Sequence, residues 1–234
     1  MLYTYLNNGL VVGSLLLELA VVFYLLKGPY LRYPLLLAYC VTELVTGTAE
    51  FLIESYGSHQ LFINLYYIDE VGVDLLLFLM VMTFTYRAME GNPMRVMAGR
   101  VLGGITLLVL GLPFLLFQEK IHDFPAFMNG AGEVLNFGAA IMNLVLWTAL
   151  LGARRRNAQL LTVSAGLGLQ VTAQALGFGI RHLLPQRHRW MPDLLMMMVH
   201  LVSVYIWWRA FRSSARQAAA PMVVPSSEIH PGEV

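Results

Sequence analysis

Seven long apolar runs are the feature that most constrains how this chain can fold. They centre on residues 8–26, 33–54, 61–86, 100–117, 126–152, 158–180 and 192–211. A helix needs roughly 20 apolar residues to cross the hydrocarbon core of a bilayer, and it satisfies its own backbone hydrogen bonds there. The sequence therefore predicts an all-α polytopic membrane protein in which residues 1–212 form a bundle of seven transmembrane helices.

The composition argues against the common soluble classes of protein. Of the 234 residues, 58% are hydrophobic and only 12% are charged, whereas a soluble domain carries about a quarter charged residues. The formal net charge of +1 and the absence of any basic run longer than three residues exclude a nucleic-acid-binding role. The single cysteine, Cys40, excludes a disulfide scaffold. The lipid bilayer is therefore the first predicted partner.

The basic residues predict on which side of the membrane each loop lies. Eleven of the 15 lysines and arginines follow the first, third, fifth or seventh run, and four fall on the other side. Since cytoplasmic loops carry an excess of Lys and Arg, we expect a multi-pass cell-membrane protein with its N-terminus outside and its C-terminus in the cytoplasm. Residues 213–234 are small, polar and proline-bearing, which predicts a disordered cytoplasmic tail unless a partner binds it.

Half of the 14 acidic residues lie inside the predicted spans, where an ionisable group is costly and marks a functional site. Arg181 caps the outer end of the sixth span, and no lysine or arginine lies in the interior of a span. Helical spacing collects the acids and several other polar residues into stripes that we expect to meet in one polar cavity. The predicted cavity residues are Glu18, Glu43, Glu50, Asp69, Glu70, Asp74, Glu133, Gln170, Gln174, Arg181 and His200.

Seven carboxyl groups cannot all stay ionised at low dielectric without compensation. They are expected to be protonated, to share protons or to hold a cation. Amides such as Gln170 are better explained by hydrogen bonds between neighbouring helices. The first functional prediction is a transporter-like or receptor-like protein that handles a cation or protons or binds a small ligand. No catalytic residue is predicted, and the cofactor is left open between a bound cation and the haem, pigment or zinc of the two predictions below.

A second prediction is an accessory or structural subunit of a larger membrane complex. His200 lies near the middle of the seventh run, where it would ligate a haem or another pigment. Residues 213–234 would then bind another subunit or a second copy of the chain. A retinal protein is excluded, because the only lysines, Lys27 and Lys120, both lie in loops and cannot form a Schiff base in the last helix.

A third prediction rests on two short segments. The stretch from Ser58-His59 to Asp69-Glu70 and the segment His200-Leu-Val-Ser-Val-Tyr resemble the alkaline ceramidase-like group of seven-helix hydrolases. That resemblance implies an intramembrane hydrolase with a catalytic zinc held by three histidines and helped by a serine and an aspartate. The chain departs from the group's pattern at Met196, where the last helix of the group carries one of its histidines.

The two ends of the chain also suggest an internal repeat. A shift of 127 residues places Glu43, Gly47, Glu50 and Glu54 on Gln170, Gln174, Gly177 and Arg181. The same shift brings the first run close to the fifth and the third close to the seventh. This suggests a 3+1+3 arrangement in which the fourth helix links two parallel repeats with the site between them. Few residues are identical, so chance agreement remains an alternative.

Overall fold

The computed structural model describes residues 2–28, 30–56, 59–152, 158–185, 188 and 190–219. Over these residues the chain forms seven long α-helices and no strand, with a 3-10 turn at Gln118–Lys120. The helices are α1 (Leu2–Leu26), α2 (Pro34–Tyr56), α3 (His59–Ala88), α4 (Arg95–Leu116), α5 (Phe124–Gly152), α6 (Ala158–Leu183) and α7 (Trp190–Ala219). The predicted all-α fold with seven helices is confirmed.

Five of these helices are long and apolar enough to cross a membrane. The qualifying segments within the described residues are Gly9–Leu26, Arg95–Leu116, Phe124–Gly152, Ala158–Arg181 and Trp190–Ser213. Helices α2 and α3 are not among them, and each carries three acidic residues that lower its mean hydropathy. Large apolar side chains such as Leu107 and Leu115 on α4 are more than 70% exposed, as expected of a surface that contacts lipid. Seven spans and their orientation stay predictions.

Six of the helices pack in a ring. The contacts run in the order α1–α2, α2–α3, α3–α5, α5–α6, α6–α7 and α7–α1. Helix α4 lies beside this ring, against α3 and α5. If α1 is exchanged with α5, α2 with α6 and α3 with α7, every contact of the ring maps onto another. A 3+1+3 repeat would have this pairing, although the repeat itself stays a prediction.

One half of the ring is a packed apolar core. Its members lie near the end of α1 and α3, the beginning of α2 and the later turns of α7. Tyr33 packs edge-to-face against Phe84 and Phe211, with ring centroids 6.0 and 5.4 Å apart. Leu25 and Leu36 are buried beside them. The polar side chains of the predicted spans are therefore displaced toward the opposite half of the bundle.

The boundary of the tail differs from the one predicted. Helix α7 continues to Ala219, seven residues beyond position 212, because this segment contains alanine, arginine and glutamine and no proline before Pro221. Residues 220–234 lie outside the described residues. Their disorder, and the predicted binding of a partner or a second copy through residues 213–234, stay predictions.

Helices α6 and α7 approach closely where Gly166 faces Trp207. The indole of Trp207 is fully buried, and its Nε1 donates a hydrogen bond of 3.0 Å to the carbonyl of Val163. A methyl group at position 166 would lie 2.5 Å from Trp207 Nε1 and 3.1 Å from the carbonyl oxygen of Ser203. Glycine is therefore required here by the contact between the helices and not by the backbone conformation.

We expect Gly166→Ala to destabilise the bundle by about 1–3 kcal/mol, because the buried indole cannot move without losing its hydrogen bond. Thermal unfolding of the purified protein in mild detergent measures the effect. Gly179→Ala is the matched control, since it lies on the same helix and a methyl group there meets no atom within 4 Å. Equal melting temperatures for the two variants would contradict this account of the α6–α7 contact.

Candidate functional site

A cavity of about 720 Å³ lies between α1, α2, α3, α6 and α7. Ten of the eleven predicted site residues line it: Glu18, Glu43, Glu50, Asp69, Glu70, Asp74, Gln170, Gln174, Arg181 and His200. The eleventh, Glu133, is on α5, which contributes no residue to the lining. What the lining residues do stays a prediction, but the structure brings them around one space.

The cavity occupies one half of the bundle. Its lining residues lie before position 19 in α1, after position 42 in α2, before position 75 in α3, after position 169 in α6 and before position 201 in α7. The apolar core takes the other part of each of these helices, with Leu77 in α3 and Leu167 in α6 among its buried members. The cavity is therefore bounded at one end by packed apolar side chains.

His200 connects α7 to two other helices at the inner end of the cavity. Its Nε2 lies 2.7 Å from Glu18 Oε1 on α1, and its Nδ1 lies 3.3 Å from the hydroxyl of Tyr39 on α2. A tautomer with the proton on Nε2 donates to the carboxylate and accepts from the tyrosine hydroxyl. The Tyr39 ring packs edge-to-face on Trp207, with centroids 5.7 Å apart. These contacts fix the imidazole between the cavity and the apolar core.

Asp74 is held from the side opposite the cavity. Asn136 of α5 donates from Nδ2 to Asp74 Oδ2 at 2.7 Å, and the same nitrogen lies 3.1 Å from the carbonyl oxygen of Gly132. A methyl group at Gly132 would lie 3.0 Å from Asp74 Oδ2, so α5 approaches this carboxyl group closely. Asp74 is only 2% exposed. Helix α3 thus separates the polar face of α5 from the cavity, which explains why Glu133 does not line it.

Arg181 supplies the permanent positive charge among the lining residues. Its Nε donates to Asp193 Oδ1 at 2.8 Å, and its Nη1 lies 3.9 Å from Glu70 Oε1. The hydroxyl of Tyr66 donates to the same oxygen of Glu70 at 3.4 Å. The guanidinium is therefore already paired with carboxylates from α3 and α7, and it does not present an open anion site.

The structure adds four polar residues to those predicted for the site. Tyr39 and Tyr66 each precede a predicted carboxylate by four residues, so helical spacing alone would have indicated them. Asp193 and Asn136 lie on polar faces of their helices, but their partners could not be known without the packing of α6 on α7 and of α5 on α3. Most of the remaining lining side chains are apolar, and they include Leu15, Phe62, Val73, Phe178 and Met197.

The haem or pigment hypothesis stays a prediction, and the contacts of His200 bear on it. Metal ligation requires a free ring nitrogen, and each nitrogen of this imidazole already has a partner, Glu18 or Tyr39. A bound metal would have to displace one of these contacts. Among the residues with described side chains, the geometry around His200 therefore favours a hydrogen-bonding role over ligation.

The zinc hypothesis receives no further support from the described residues. They contain no group of three His, Cys, Asp or Glu side chains arranged to hold a metal ion. Met196, at the position where the ceramidase-like pattern has a histidine, lines the cavity one turn before His200. Ser58 and the side chain of His59 lie outside the described residues.

Comparisons with known protein families, with curated proteins and with solved structures find no match to this chain.

We expect Asn136→Leu to destabilise the protein by about 1–3 kcal/mol, because it leaves a buried oxygen of Asp74 without its donor. Asn143→Leu is the control on the same helix: this asparagine is also buried, but its Oδ1 has no hydrogen-bond partner among the described residues. Thermal unfolding in detergent compares the two. A loss for Asn143→Leu as large as that for Asn136→Leu would show that the Asp74 contact is not the cause.

Proposed function

We propose that this chain is an integral membrane protein with seven spanning helices, whose cavity takes up a small cation or protons in the manner of a receptor or a transporter. The observation that carries the proposal is the presence of six carboxyl groups and a single guanidinium around one cavity. Because low-dielectric walls strengthen the field of such a cluster, the cavity attracts positive charge. Arg181 is shared between Asp193 and Glu70, so one guanidinium stands against six lining carboxyl groups.

The position of the cavity in one half of the bundle favours a binding protein or a carrier over an open channel. An open channel needs a polar path through the whole bundle, whereas the apolar core around Tyr33 and Phe84 fills the half opposite the cavity. This arrangement supports a binder, or a carrier that is open to one side at a time. Transporters built from parallel repeats place their binding site between the halves of the fold, and the pairing of the helices is compatible with that design.

The distribution of basic residues supports an outward-facing cavity. The lining residues lie in the early part of α1, α3 and α7 and in the later part of α2 and α6. With the N-terminus outside, as the excess of Lys and Arg in the opposite loops predicts, all five of these segments lie in the outer half of the membrane. The ligand would then be taken up from the extracytoplasmic side.

Single cysteines test this orientation. The native Cys40 is fully buried and gives a low labelling background. We expect Glu119→Cys to react with a membrane-impermeant maleimide in intact cells, and Ser213→Cys to react only after the membrane is opened. Both positions are exposed, so accessibility to solvent is matched. The reverse pattern would contradict the proposed orientation, and equal labelling of both cysteines in intact cells would contradict the existence of two sides.

Cation or proton binding is tested on the full chain. Purified protein is reconstituted in liposomes with an internal pH-sensitive dye, and its thermal unfolding is followed in detergent over series of pH, NaCl, CaCl₂ and guanidinium chloride at low concentration. We expect a proton movement or a cation-dependent rise in melting temperature, since a ligand at about 100 times its Kd stabilises a protein by about 2.7 kcal/mol.

Variants of acidic residues show whether the response to protons or cations depends on the cavity. We expect Glu50→Gln and Asp74→Asn to reduce the response, because each removes a carboxylate from the lining. Glu133→Gln should leave it unchanged, because this acid is inside a predicted span but does not line the cavity. A protein that responds neither to pH nor to any cation would refute the proposal.

A further inference from the structure

We infer that the ligand of this cavity is a linear aliphatic amine that carries two or more protonated nitrogens. The inference rests on the proposed function and adds the chemical class of the ligand. Three observations carry it: the kind of polar atom in the wall that lacks a partner, the apolar surface between these atoms, and the spacing of the carboxyl groups along the helices.

The partnerless buried atoms in the cavity wall are hydrogen-bond acceptors. Glu18 is 2% exposed, and its Oε2 has no hydrogen-bond partner within the described part of the chain. The same holds for Gln170, which is 3% exposed, at Oε1, and for Oδ1 of Asp69 and Oε1 of Gln174. An unpaired buried acceptor costs free energy, so these oxygens favour a ligand that donates hydrogen bonds. A protonated amine is rich in donors and offers no acceptor.

The cavity lining suits a larger organic cation better than a bare metal ion. Hard cations such as Ca²⁺ take about 6–8 oxygen ligands at short distance, and the described residues contain no group of three metal-ligating side chains. The volume of about 720 Å³ lies in the range of small-molecule sites. Leu15, Val73, Phe62 and Phe178 add apolar surface that a methylene chain would cover. The cavity therefore suits a cation with an aliphatic body.

The carboxyl groups are distributed along the cavity instead of meeting at one point. Glu43 and Glu50 are seven residues apart on α2, or roughly 10 Å along the helix axis. Glu70 and Asp74 on α3 are one turn apart, or roughly 6 Å. A ligand with a single charge would neutralise one of these positions, whereas a linear polyamine presents an ammonium group to several of them. The extended distribution of charge is what selects a linear amine with more than one nitrogen.

Spermidine and putrescine are the probes that test this inference. The full-length protein is purified in an uncharged detergent, and binding is measured by calorimetry and by the shift in melting temperature. Hexamethonium is the matched control ligand, because it is a linear dication without N–H donors, and MgCl₂ at equal ionic strength controls for screening. We expect spermidine to bind at least about tenfold more tightly than hexamethonium, because only the amine satisfies the buried acceptors.

Variants then locate the binding. Glu50→Gln and Glu18→Gln should each weaken spermidine binding by about tenfold or more, while Glu133→Gln should leave the Kd within about twofold of the parent value. Because Glu18→Gln also alters the contact with His200, Gln174→Leu serves as a second variant that removes an acceptor without touching that contact. Melting curves without ligand identify any variant that fails to fold.

The outcomes separate this inference from the proposed function. Binding of spermidine no tighter than that of hexamethonium or Mg²⁺ would overturn the inference, as would an equal loss of binding in Glu133→Gln and Glu50→Gln. If spermidine fails while the parent protein still responds to pH or to a metal cation through Glu50 and Asp74, the amine ligand is refuted and cation handling stands. If the protein responds neither to spermidine nor to pH or metal cations, both the amine ligand and the proposed function are refuted.

Discussion

The free-energy cost of carboxyl groups inside an apolar bundle is the constraint on which the arrangement of this protein depends. Each such group must be paired, protonated or supplied with a cation. The structure provides partners for some of them: Glu18 contacts His200, Asp74 accepts from Asn136, and Glu70 accepts from Tyr66. The contacts of Glu18 and Asp74 cross between helices, so they also help to determine how these helices are rotated, whereas the contact of Glu70 lies within α3. The carboxyl groups consequently face a common space instead of lipid.

The apolar core occupies the half of the ring opposite the carboxyl groups. Tyr33, Phe84 and Phe211 pack edge-to-face in the half of the ring that has no cavity, and Trp207 joins this core to the polar half through Tyr39. Such a division leaves one end of the ring rigid and well packed. The other end holds acceptors such as Glu18 Oε2 and Gln170 Oε1, which have no hydrogen-bond partner among the described residues, around the cavity. A binding protein needs both, because a firm scaffold is what keeps costly polar groups in place without their ligand.

The two hypotheses that involve a metal, a haem or pigment at His200 and a zinc site, stay predictions. His200 has both ring nitrogens engaged, by Glu18 and Tyr39, and the neighbouring turn of α7 presents Met196. Arg181, a predicted cavity residue, is the one arginine or lysine among the lining residues, and it contacts both Asp193 and Glu70. The acid-rich character inferred from the composition of the spans is thus retained around the cavity.

Much of this architecture was predictable from local patterns. Hydropathy located all seven helices to within a few residues at most ends, because the length of an apolar run and the need for internal backbone hydrogen bonds act along the chain. Periodicity of 3.6 residues grouped Glu43 with Glu50 and Glu70 with Asp74, because positions three, four and seven apart share a helix face whatever the helix packs against. The helical end of α7 was less predictable, since the local composition of residues 213–219 permits both helix and coil.

The sequence by itself determined the fold class, the helices and the face on which each polar residue lies. Only the tertiary structure decided which faces meet. Glu133 is an acidic residue inside a predicted span, as expected of a cavity residue. The packing of α5 on α3 nevertheless brings Asn136 into contact with Asp74 and leaves Glu133 out of the cavity lining. The neighbours of Tyr39 in the sequence are mostly apolar, yet its hydroxyl contacts His200, which is 161 residues away along the chain. The reason is physical: a helix face is set by local geometry, whereas its neighbour is set by the packing of the whole ring.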